Sequence, residues 1–269
     1  MIMENLIIVR GGGDIASGTI HRLRRCGFPV LALESAQPSA IRRRVAFSEA
    51  VYDGVSSVEG IACRLSSSLG QALDIIQSGQ VAIMVDEDCR ILKEIRPWAL
   101  VDGIMAKQNL GTHREMADKT IALGPGFTAG VDVDLVIETM RGHDLGRIIE
   151  QGSAHHDTGI PGSIGGFESQ RVIRAAAPGI LYSTAQIGDL VESGRTIAVI
   201  HSENGEHPVS APIRGILRGI IRDGYKVAAG LKIADIDPRE DERKNCVTIS
   251  DKSRCIAGSV LEGLLYLSN

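Results

Sequence analysis

The strongest constraint on the fold lies in the first 34 residues, where a short apolar strand runs into a glycine turn and an amphipathic helix. Residues 6–9 read Leu-Ile-Ile-Val, a continuous run typical of a strand buried on both faces of a parallel sheet. The turn Arg10-Gly-Gly-Gly-Asp14 follows, and apolar residues then recur at helical spacing as far as Cys26. This order predicts the first strand, turn and helix of a Rossmann-like domain.

The glycine turn indicates a ligand that carries phosphate. Gly11, Gly13 and Gly18 would let the backbone approach a pyrophosphate at the helix N-terminus, and Gly12 lies in the same turn. Their spacing departs from the usual Gly-x-Gly-x-x-Gly pattern. A turn that binds nothing is therefore the alternative.

Two acidic residues accompany this turn. Glu34 closes the second predicted strand, near the distance from the glycines at which an acid binds a ribose hydroxyl. Asp14 could contact the ligand, but its place at the start of the helix favours a capping role.

An arginine cluster follows the helix-entry signal Gln37-Pro-Ser39. Residues 40–46 are predicted to be helical, with Arg42, Arg43 and Arg44 beside the expected ribose position. These arginines could accept a 2′-phosphate or a terminal phosphate, or they could form a solvated helix face.

Further strands are predicted at residues 50–52, 60–64, 81–85 and 99–104, with a helical pattern between residues 65 and 76. This alternation indicates a doubly wound parallel sheet. Asp86-Glu-Asp88 follows one strand and could hold Mg²⁺, although a polar loop is favoured. Lys107 follows another strand and is available to an anion.

The middle of the chain holds two polar glycine loops. Gly124 and Gly126 belong to a loop whose amides could form an anion-binding concavity, and Arg141 and His143 follow the next apolar run. The run His155-His-Asp157 suggests a metal site, but adjacent residues of an extended chain point in different directions. No metal site is therefore predicted.

The C-terminal part contains an internal repeat with an offset of 36 residues. Matched pairs are Gly179/Gly215, Leu181/Leu217, Gly188/Gly224, Val191/Val227, Gly194/Gly230 and Ile197/Ile233. The repeat resembles the biotinyl/lipoyl hammerhead, and this resemblance implies a duplicated β lobe, a barrel-sandwich hybrid, whose attached-cofactor members carry a lysine on the hairpin between the halves. The hairpin at residues 201–208 contains no lysine, so we expect no covalent biotin or lipoate.

The predicted organisation has three parts. Residues 1–168 form the Rossmann-like nucleotide-binding domain with the glycine-loop segment, residues 169–240 the β lobe, and residues 241–269 a tail helix that packs on the α/β domain. The predicted fold class is α/β, a doubly wound parallel sheet plus an all-β lobe.

Composition excludes several classes of protein. A formal net charge of −4 argues against a nucleic-acid binder or a basic membrane-surface protein. No apolar stretch is long enough for a membrane span, and residues 1–10 lack the pattern of a signal peptide, so a cytoplasmic protein is expected. The five cysteines include no Cys-x-x-Cys pair, which argues against a zinc site or a disulfide framework.

Several segments together resemble the selenium-dependent molybdenum hydroxylase system family. They are Arg10-Gly-Gly-Gly-Asp-Ile-Ala-Ser-Gly18, Gly124-Pro-Gly-Phe-Thr-Ala-Gly130, Glu138-Thr-Met-Arg-Gly-His143, Asp157-Thr-Gly-Ile-Pro-Gly162 and Asp235-Ile-Asp-Pro-Arg239. The resemblance implies an accessory or maturation factor whose partner is the apo-enzyme of a molybdenum hydroxylase. The β lobe would then dock that partner.

Three functions follow as alternatives. The first is such a maturation factor, which binds a nucleotide or the dinucleotide of the molybdenum cofactor. The second is an NAD(P)-dependent oxidoreductase acting on a small substrate, and its weak point is the lack of a Tyr-x-x-x-Lys pair or an obvious His/Asp dyad. The third is a non-catalytic scaffold. Catalysis, a cysteine role in selenium chemistry and self-association stay open.

Overall fold

The computed structural model describes residues 3–159 and 162–269, which divide into two compact units. The first unit contains residues 3–38, 45–158 and 249–269, and the second contains residues 39–44 together with the described part of 159–248. The predicted boundaries at residues 168 and 240 stay predictions. Ile160 and Pro161, which belong to one of the quoted sequence segments, lie outside the described residues.

The first unit is built on one mixed sheet, which has nine strands within the described residues. In chain order these are β1 (Ile7–Arg10), β2 (Val30–Glu34), β3 (Val55–Val58), β4 (Ile61–Ser66), β5 (Val81–Val85), β6 (Ala99–Asp102), β7 (Thr120–Leu123), β8 (Leu135–Ile137) and β9 (Ile148–Ile149). Their order across the sheet is β3-β4-β5-β2-β1-β6-β7-β8-β9. Neighbours from β4 to β8 pair in parallel, whereas β3 and β9 are antiparallel edge strands.

Strand β1 lies at the centre of this sheet and is buried on both faces. Ile7 and Val9 belong to one apolar core, and Ile8 belongs to the core on the other face. Successive side chains of a strand point to opposite faces of the sheet. Because both faces are buried at β1, every residue of the run 6–9 is apolar.

The helices of the first unit are α1 (Asp14–Arg25), α2 (Ala50–Asp53), α3 (Leu69–Gln77) and α4 (Asp251–Tyr266). Helix α4 packs on α1, where Ile20 and Leu23 share a core with Ile256 and Val260. The two helices approach closely at Gly18, where a Cβ would lie 2.0 Å from Ser253 Oγ. The Ser253 hydroxyl also donates to the carbonyl oxygens of Asp14 and Ile15, at 3.1 and 3.2 Å.

The second unit consists, in its described part, of two four-stranded antiparallel sheets. Their strands are β10 (Val172–Arg174), β11 (Gly179–Ser183), β12 (Leu190–Val191), β13 (Thr196–Ser202), β14 (Gly205–Ser210), β15 (Gly215–Ile220), β16 (Tyr225–Val227) and β17 (Lys232–Asp237). The sheet orders are β10-β17-β15-β12 and β14-β13-β11-β16.

The 36-residue repeat governs the contacts of the second unit. The amide of Gly188 donates to Leu217 O in the second copy, and the amide of Gly224 donates to Leu181 O in the first, both at 2.8 Å. Gly179 and Gly215 are equally matched, since a Cβ on either would lie 2.4 Å from a carbonyl oxygen. The two copies therefore exchange equivalent hydrogen bonds.

The predicted fold class, a Rossmann-like doubly wound sheet with a barrel-sandwich-hybrid lobe, is wrong. The described chain forms a mixed α/β structure with a large, parallel-rich sheet and two antiparallel sheets. Both edges of the large sheet are antiparallel. The connections from β6 to β7 and from β7 to β8 contain loops and short 3-10 turns where a doubly wound sheet has α-helices.

Two local predictions are also wrong. Residues 50–52, predicted to be a strand, lie in helix α2, which ends at Gly54 with φ +75°. Residues 40–46 contain one 3-10 turn, Arg43–Val45, in place of the predicted helix. In both segments tertiary contacts override a short apolar pattern.

No helix in the described ranges is long and apolar enough to cross a membrane.

The approach of α1 to α4 predicts a sharp loss of stability in the Gly18→Ala variant. The new methyl group would overlap Ser253 Oγ, and overpacking of this kind costs about 1–3 kcal/mol in the free energy of unfolding. Urea denaturation measures the loss, which should be smaller in a Ser253→Ala background. Gly70→Ala on α3 is the control, because nothing lies within 4 Å of its Cβ position. Equal stabilities for the two alanine variants would contradict the packing role of Gly18.

Candidate functional site

The loops that carry most of the predicted site residues lie at one edge of the large sheet. Strands β1, β6, β7 and β8 are parallel neighbours, so their carboxyl ends meet at that edge. The loops that follow are the glycine turn, residues 103–112, residues 124–130 and residues 138–147. Open parallel sheets bind ligands at this edge.

The glycine turn places a residue without a side chain at the N-cap position of α1. Gly13 holds the N-cap position, with φ −65° and ψ −179°, and Asp14 is the first helical residue. The predicted capping role of Asp14 is therefore wrong. The uncapped first turn of a 12-residue helix presents amide groups and the positive end of the helix dipole.

Glu34 fixes the shape of this turn. Its Oε2 accepts a hydrogen bond from the Gly12 amide at 2.7 Å, and its Oε1 accepts one from the Ser35 amide at 2.8 Å. Burial raises the pKa of the Glu34 carboxyl, although these two hydrogen bonds act in the opposite direction. The carboxylate thus holds the backbone, and its predicted contact with a ribose stays a prediction.

The four predicted glycines have different surroundings. Gly11 has φ +97° and lies against the backbone of Gly103, and a Cβ on Gly12 would lie 2.9 Å from Ser48 N. Gly18 packs on α4. Around Gly13, in contrast, the described residues leave open space within 4 Å of a Cβ. Gly13 is thus the position where a ligand can approach the turn.

Two further loops meet beside the turn. Lys107 has φ +64° and forms an ion pair with Asp157. Gly126, with φ +106°, lies against the backbone of Gln108, and a Cβ on Gly124 would lie 2.6 Å from Thr139 Oγ1. Gly124 and Gly126 therefore allow close approach between loops, and their predicted contact with an anion stays a prediction.

A buried carboxylate directs a histidine at this edge. Glu138, 1% exposed, follows β8, and its Oε2 lies 2.7 Å from His155 Nδ1 and accepts a hydrogen bond from the His155 amide at 2.8 Å. Its Oε1 accepts one from the Met140 amide at 2.7 Å. Burial works to raise the pKa of Glu138, but these hydrogen bonds outweigh it and lower the pKa, so the group is a stable anion.

Cationic groups cluster where α4 begins. Arg141 makes two hydrogen bonds to the Asp251 carboxylate, both at 2.9 Å. The next residue, Lys252, is partly buried, and burial followed by repulsion from Arg141 lowers its pKa. Asp14, Asp157 and Glu138 act on Lys252 in the opposite direction. Lys252 therefore lies among the groups that surround the first turn of α1.

The remaining predicted residues lie elsewhere or on the surface. Arg42 belongs to the second unit and donates to the carbonyl oxygens of Asn245 and Thr248, both at 2.9 Å, and its predicted phosphate contact stays a prediction. His143 is exposed in the loop after β8. Asp86 accepts hydrogen bonds from the amides of Arg90 and Ile91, and the preference for a polar loop over a Mg²⁺ site stays a prediction.

Three cysteines lack the surroundings of a nucleophile. Burial raises the pKa of the Cys63, Cys89 and Cys246 thiols, that of Cys89 to about 11. A thiol with a raised pKa stays protonated near neutral pH and reacts slowly.

Sequence reasoning missed three residues of this edge, namely Glu138 as the partner of His155, His155 itself as a site residue, and Lys252. Glu138 and His155 belong to segments noted in the sequence, but 17 positions separate them. Lys252 follows Asp14 by more than 230 positions and carried no sequence signal.

Comparisons with known proteins give one close sequence relative. The chain is 50% identical over 264 residues to an Escherichia coli (strain K12) protein described as "Uncharacterized protein YqeB". The match covers 98% of this chain and 48% of that protein, so the chain spans about half the length of the curated relative it matches. No family model matches the sequence.

Structural likenesses are weak. An aspartoacylase family protein from Mesorhizobium loti covers 86% of this chain and 84% of its own, with 13% identity and a TM-score of 0.30. A succinylglutamate desuccinylase/aspartoacylase from Rhodobacter sphaeroides covers 86% of this chain and 85% of its own, with 14% identity and a TM-score of 0.29. The ectoine utilization protein EutE (DoeB) from Ruegeria pomeroyi covers 86% of this chain and 56% of its own, with 10% identity and a TM-score of 0.26. At these TM-scores the likenesses carry no functional argument.

The resemblance to the selenium-dependent molybdenum hydroxylase system family is corrected by these findings. No family model supports it, and neither the sequence relative nor the solved structures are described as molybdenum hydroxylase proteins. The maturation function and the link to selenium rested on that resemblance and are withdrawn with it. The hydroxylase apo-enzyme as a partner was implied by the same resemblance and stays a prediction.

The two hydrogen bonds to Glu34 predict that Glu34→Gln destabilises the glycine turn. A glutamine has one acceptor oxygen, so either the Gly12 or the Ser35 amide would face an NH₂ group. We expect a loss of about 1–3 kcal/mol in the free energy of unfolding, measured by urea denaturation. The control variant Glu87→Gln, at an exposed position, should have a free energy of unfolding close to that of the wild type. A Glu34→Gln protein as stable as wild type would show that Glu34 does not support the turn.

Proposed function

We propose that the first unit binds the phosphate group of a small phosphorylated molecule, with nucleotides as the first class to test. The observation that carries this proposal is the open, uncapped N-terminus of α1 at Gly13, placed at the carboxyl edge of a parallel sheet. Amide groups and the dipole of an uncapped helix favour an anion at this position.

The surrounding charges support an anionic ligand. Lys252 and Arg141 repel each other beside the first turn of α1, and this repulsion, after burial, lowers the pKa of Lys252. A bound phosphate would lie near both cations and favour the charged form of Lys252. Lys107 adds a third cation on the loop that follows β6.

The absence of covalent biotin or lipoate, expected from the hairpin at residues 201–208, stays a prediction that an intact mass would check. A cytoplasmic location and self-association also stay predictions.

The open space at Gly13 predicts that Gly13→Val removes binding and leaves the fold intact. Any residue can adopt the backbone conformation of Gly13, so the substitution causes no strain. A side chain there would occupy the space through which phosphate oxygens approach the helix. Calorimetry with ATP, CTP, NAD and NADP measures binding, and urea denaturation checks the fold. Gly70→Val, in the first turn of α3, is the matched control. Unchanged affinity in a folded Gly13→Val protein would place the ligand elsewhere.

The charge of Lys252 predicts a pH-dependent affinity. Binding of an anion favours protonated Lys252, so affinity should fall as pH rises through the folded pKa, which lies below the ordinary value of 10.5. Lys252→Met should remove this pH dependence and weaken binding by about 1.5–3 kcal/mol, as expected for a hydrogen bond to a charged group. Titration calorimetry at several pH values, with the exposed Lys93→Met as control, measures both effects. A Lys252→Met protein with the wild-type pH profile would exclude Lys252 from the site.

A further inference from the structure

The Glu138–His155 pair has the geometry of a catalytic base and the carboxylate that orients it. One carboxylate oxygen of Glu138 faces both the backbone amide and the ring nitrogen Nδ1 of His155, at 2.8 and 2.7 Å. This double contact fixes the position of the residue and the direction of the ring together. Glu138 is an anion and acts as an acceptor, so the neutral tautomer that fits this contact has its hydrogen on Nδ1 and a proton acceptor at Nε2.

The ring is accessible, whereas the carboxylate is buried. The His155 side chain is 61% exposed and that of Glu138 is 2% exposed. A buried carboxylate that accepts three hydrogen bonds is a rigid support, and an exposed ring can meet substrate and water.

The pair also lies close to the proposed phosphate site. Glu138 and Asp157, the latter two residues after His155, both act electrostatically on Lys252, which lies beside the first turn of α1. Asp157 binds Lys107, and Arg141 follows Glu138 by three residues. His155 thus contacts Glu138, and Glu138 also acts on Lys252 at the start of α4.

We propose that His155, oriented by Glu138, is the general base for hydrolysis of a phosphoanhydride bond in a nucleotide bound at the α1 N-terminus. The inference rests on the phosphate site proposed above. Water attacks the terminal phosphorus and gives one proton to His155 Nε2. The bond from that phosphorus to the bridging oxygen breaks, and its electron pair leaves with the shortened nucleotide. The products are inorganic phosphate and a nucleoside diphosphate, with no co-reactant besides water.

Glu138 is a positioning residue in this scheme. It fixes the direction of the ring through Nδ1 and stabilises the imidazolium that forms when the proton arrives. Lys107, Arg141 and Lys252 supply positive charge for the phosphate groups as negative charge develops on the leaving oxygen.

The test measures binding and turnover on the full chain with the same ligands. ATP, CTP and GTP, each supplied with Mg²⁺, are the probes, calorimetry reports binding, and ³¹P NMR reports release of phosphate. We expect binding and phosphate release by the wild type. His155→Gln should lower the rate by about 10²–10⁴-fold, with affinity within a few-fold of wild type. The adjacent, exposed His156→Gln is the matched control and should retain the rate.

Two further readouts separate a catalytic from a structural histidine. Added imidazole should restore part of the rate of His155→Gln, which a merely structural role would not allow. Glu138→Gln should lower kcat and leave KM within a few-fold of wild type, since it removes the anionic acceptor that orients the ring. If His155→Gln fails to fold, His155→Asn takes its place.

The outcomes are distinguishable. Binding without phosphate release by the wild type overturns the hydrolytic role and leaves the phosphate site standing. Release that persists in His155→Gln overturns the assignment of the base. Lack of binding by all three nucleotides to folded protein overturns this inference together with its basis.

Discussion

The packing of α4 on α1 determines how the candidate site is assembled. Gly18 lets the two helices approach until Ser253 donates to the carbonyl oxygens of Asp14 and Ile15. This contact brings residues from the end of the chain to the first helical turn after the glycines. Lys252 acquires its surroundings in this way, and the same helix offers Asp251 to Arg141. The glycine turn alone would present one helix end, whereas the helix pair also surrounds it with charge.

Hydrogen bonds to one partly buried and one buried carboxylate fix the backbone on either side of this site. Glu34 holds the glycine turn through the Gly12 amide, and Glu138 holds the segment at His155. The two groups differ in their pKa, because burial dominates at Glu34 and hydrogen bonds dominate at Glu138. An acid that remains anionic can orient an imidazole, as Glu138 does for His155, whereas Glu34 binds the backbone amides of Gly12 and Ser35.

Much of the local structure around the turn could be predicted from the sequence, because it depends on neighbours in the chain. The buried run at residues 6–9, the glycine turn and the helix to Arg25 form a contiguous pattern and occur as expected. The fold class was wrong, because the helix-free connections after β6 and β7 and the antiparallel edges depend on contacts between distant residues. The pairing of Glu138 with His155 and the place of Lys252 escaped prediction for the same reason. Gly18 shows a related limit, since a sequence pattern cannot separate a glycine that faces a ligand from one that faces a helix.

The exchanged hydrogen bonds of the second unit affect how that unit can form. Each copy of the repeat supplies the carbonyl oxygen that satisfies a turn glycine of the other, through Gly188 with Leu217 and Gly224 with Leu181. One copy alone would therefore leave its turn amide without this acceptor, and its apolar residues belong to a core shared by both copies. A substitution that disrupts one copy therefore removes a hydrogen-bond acceptor or core contacts from the other copy. We expect the two copies to fold together in one cooperative step. The duplication thus yields a single folding unit made of two similar halves, neither of which is a small domain in its own right.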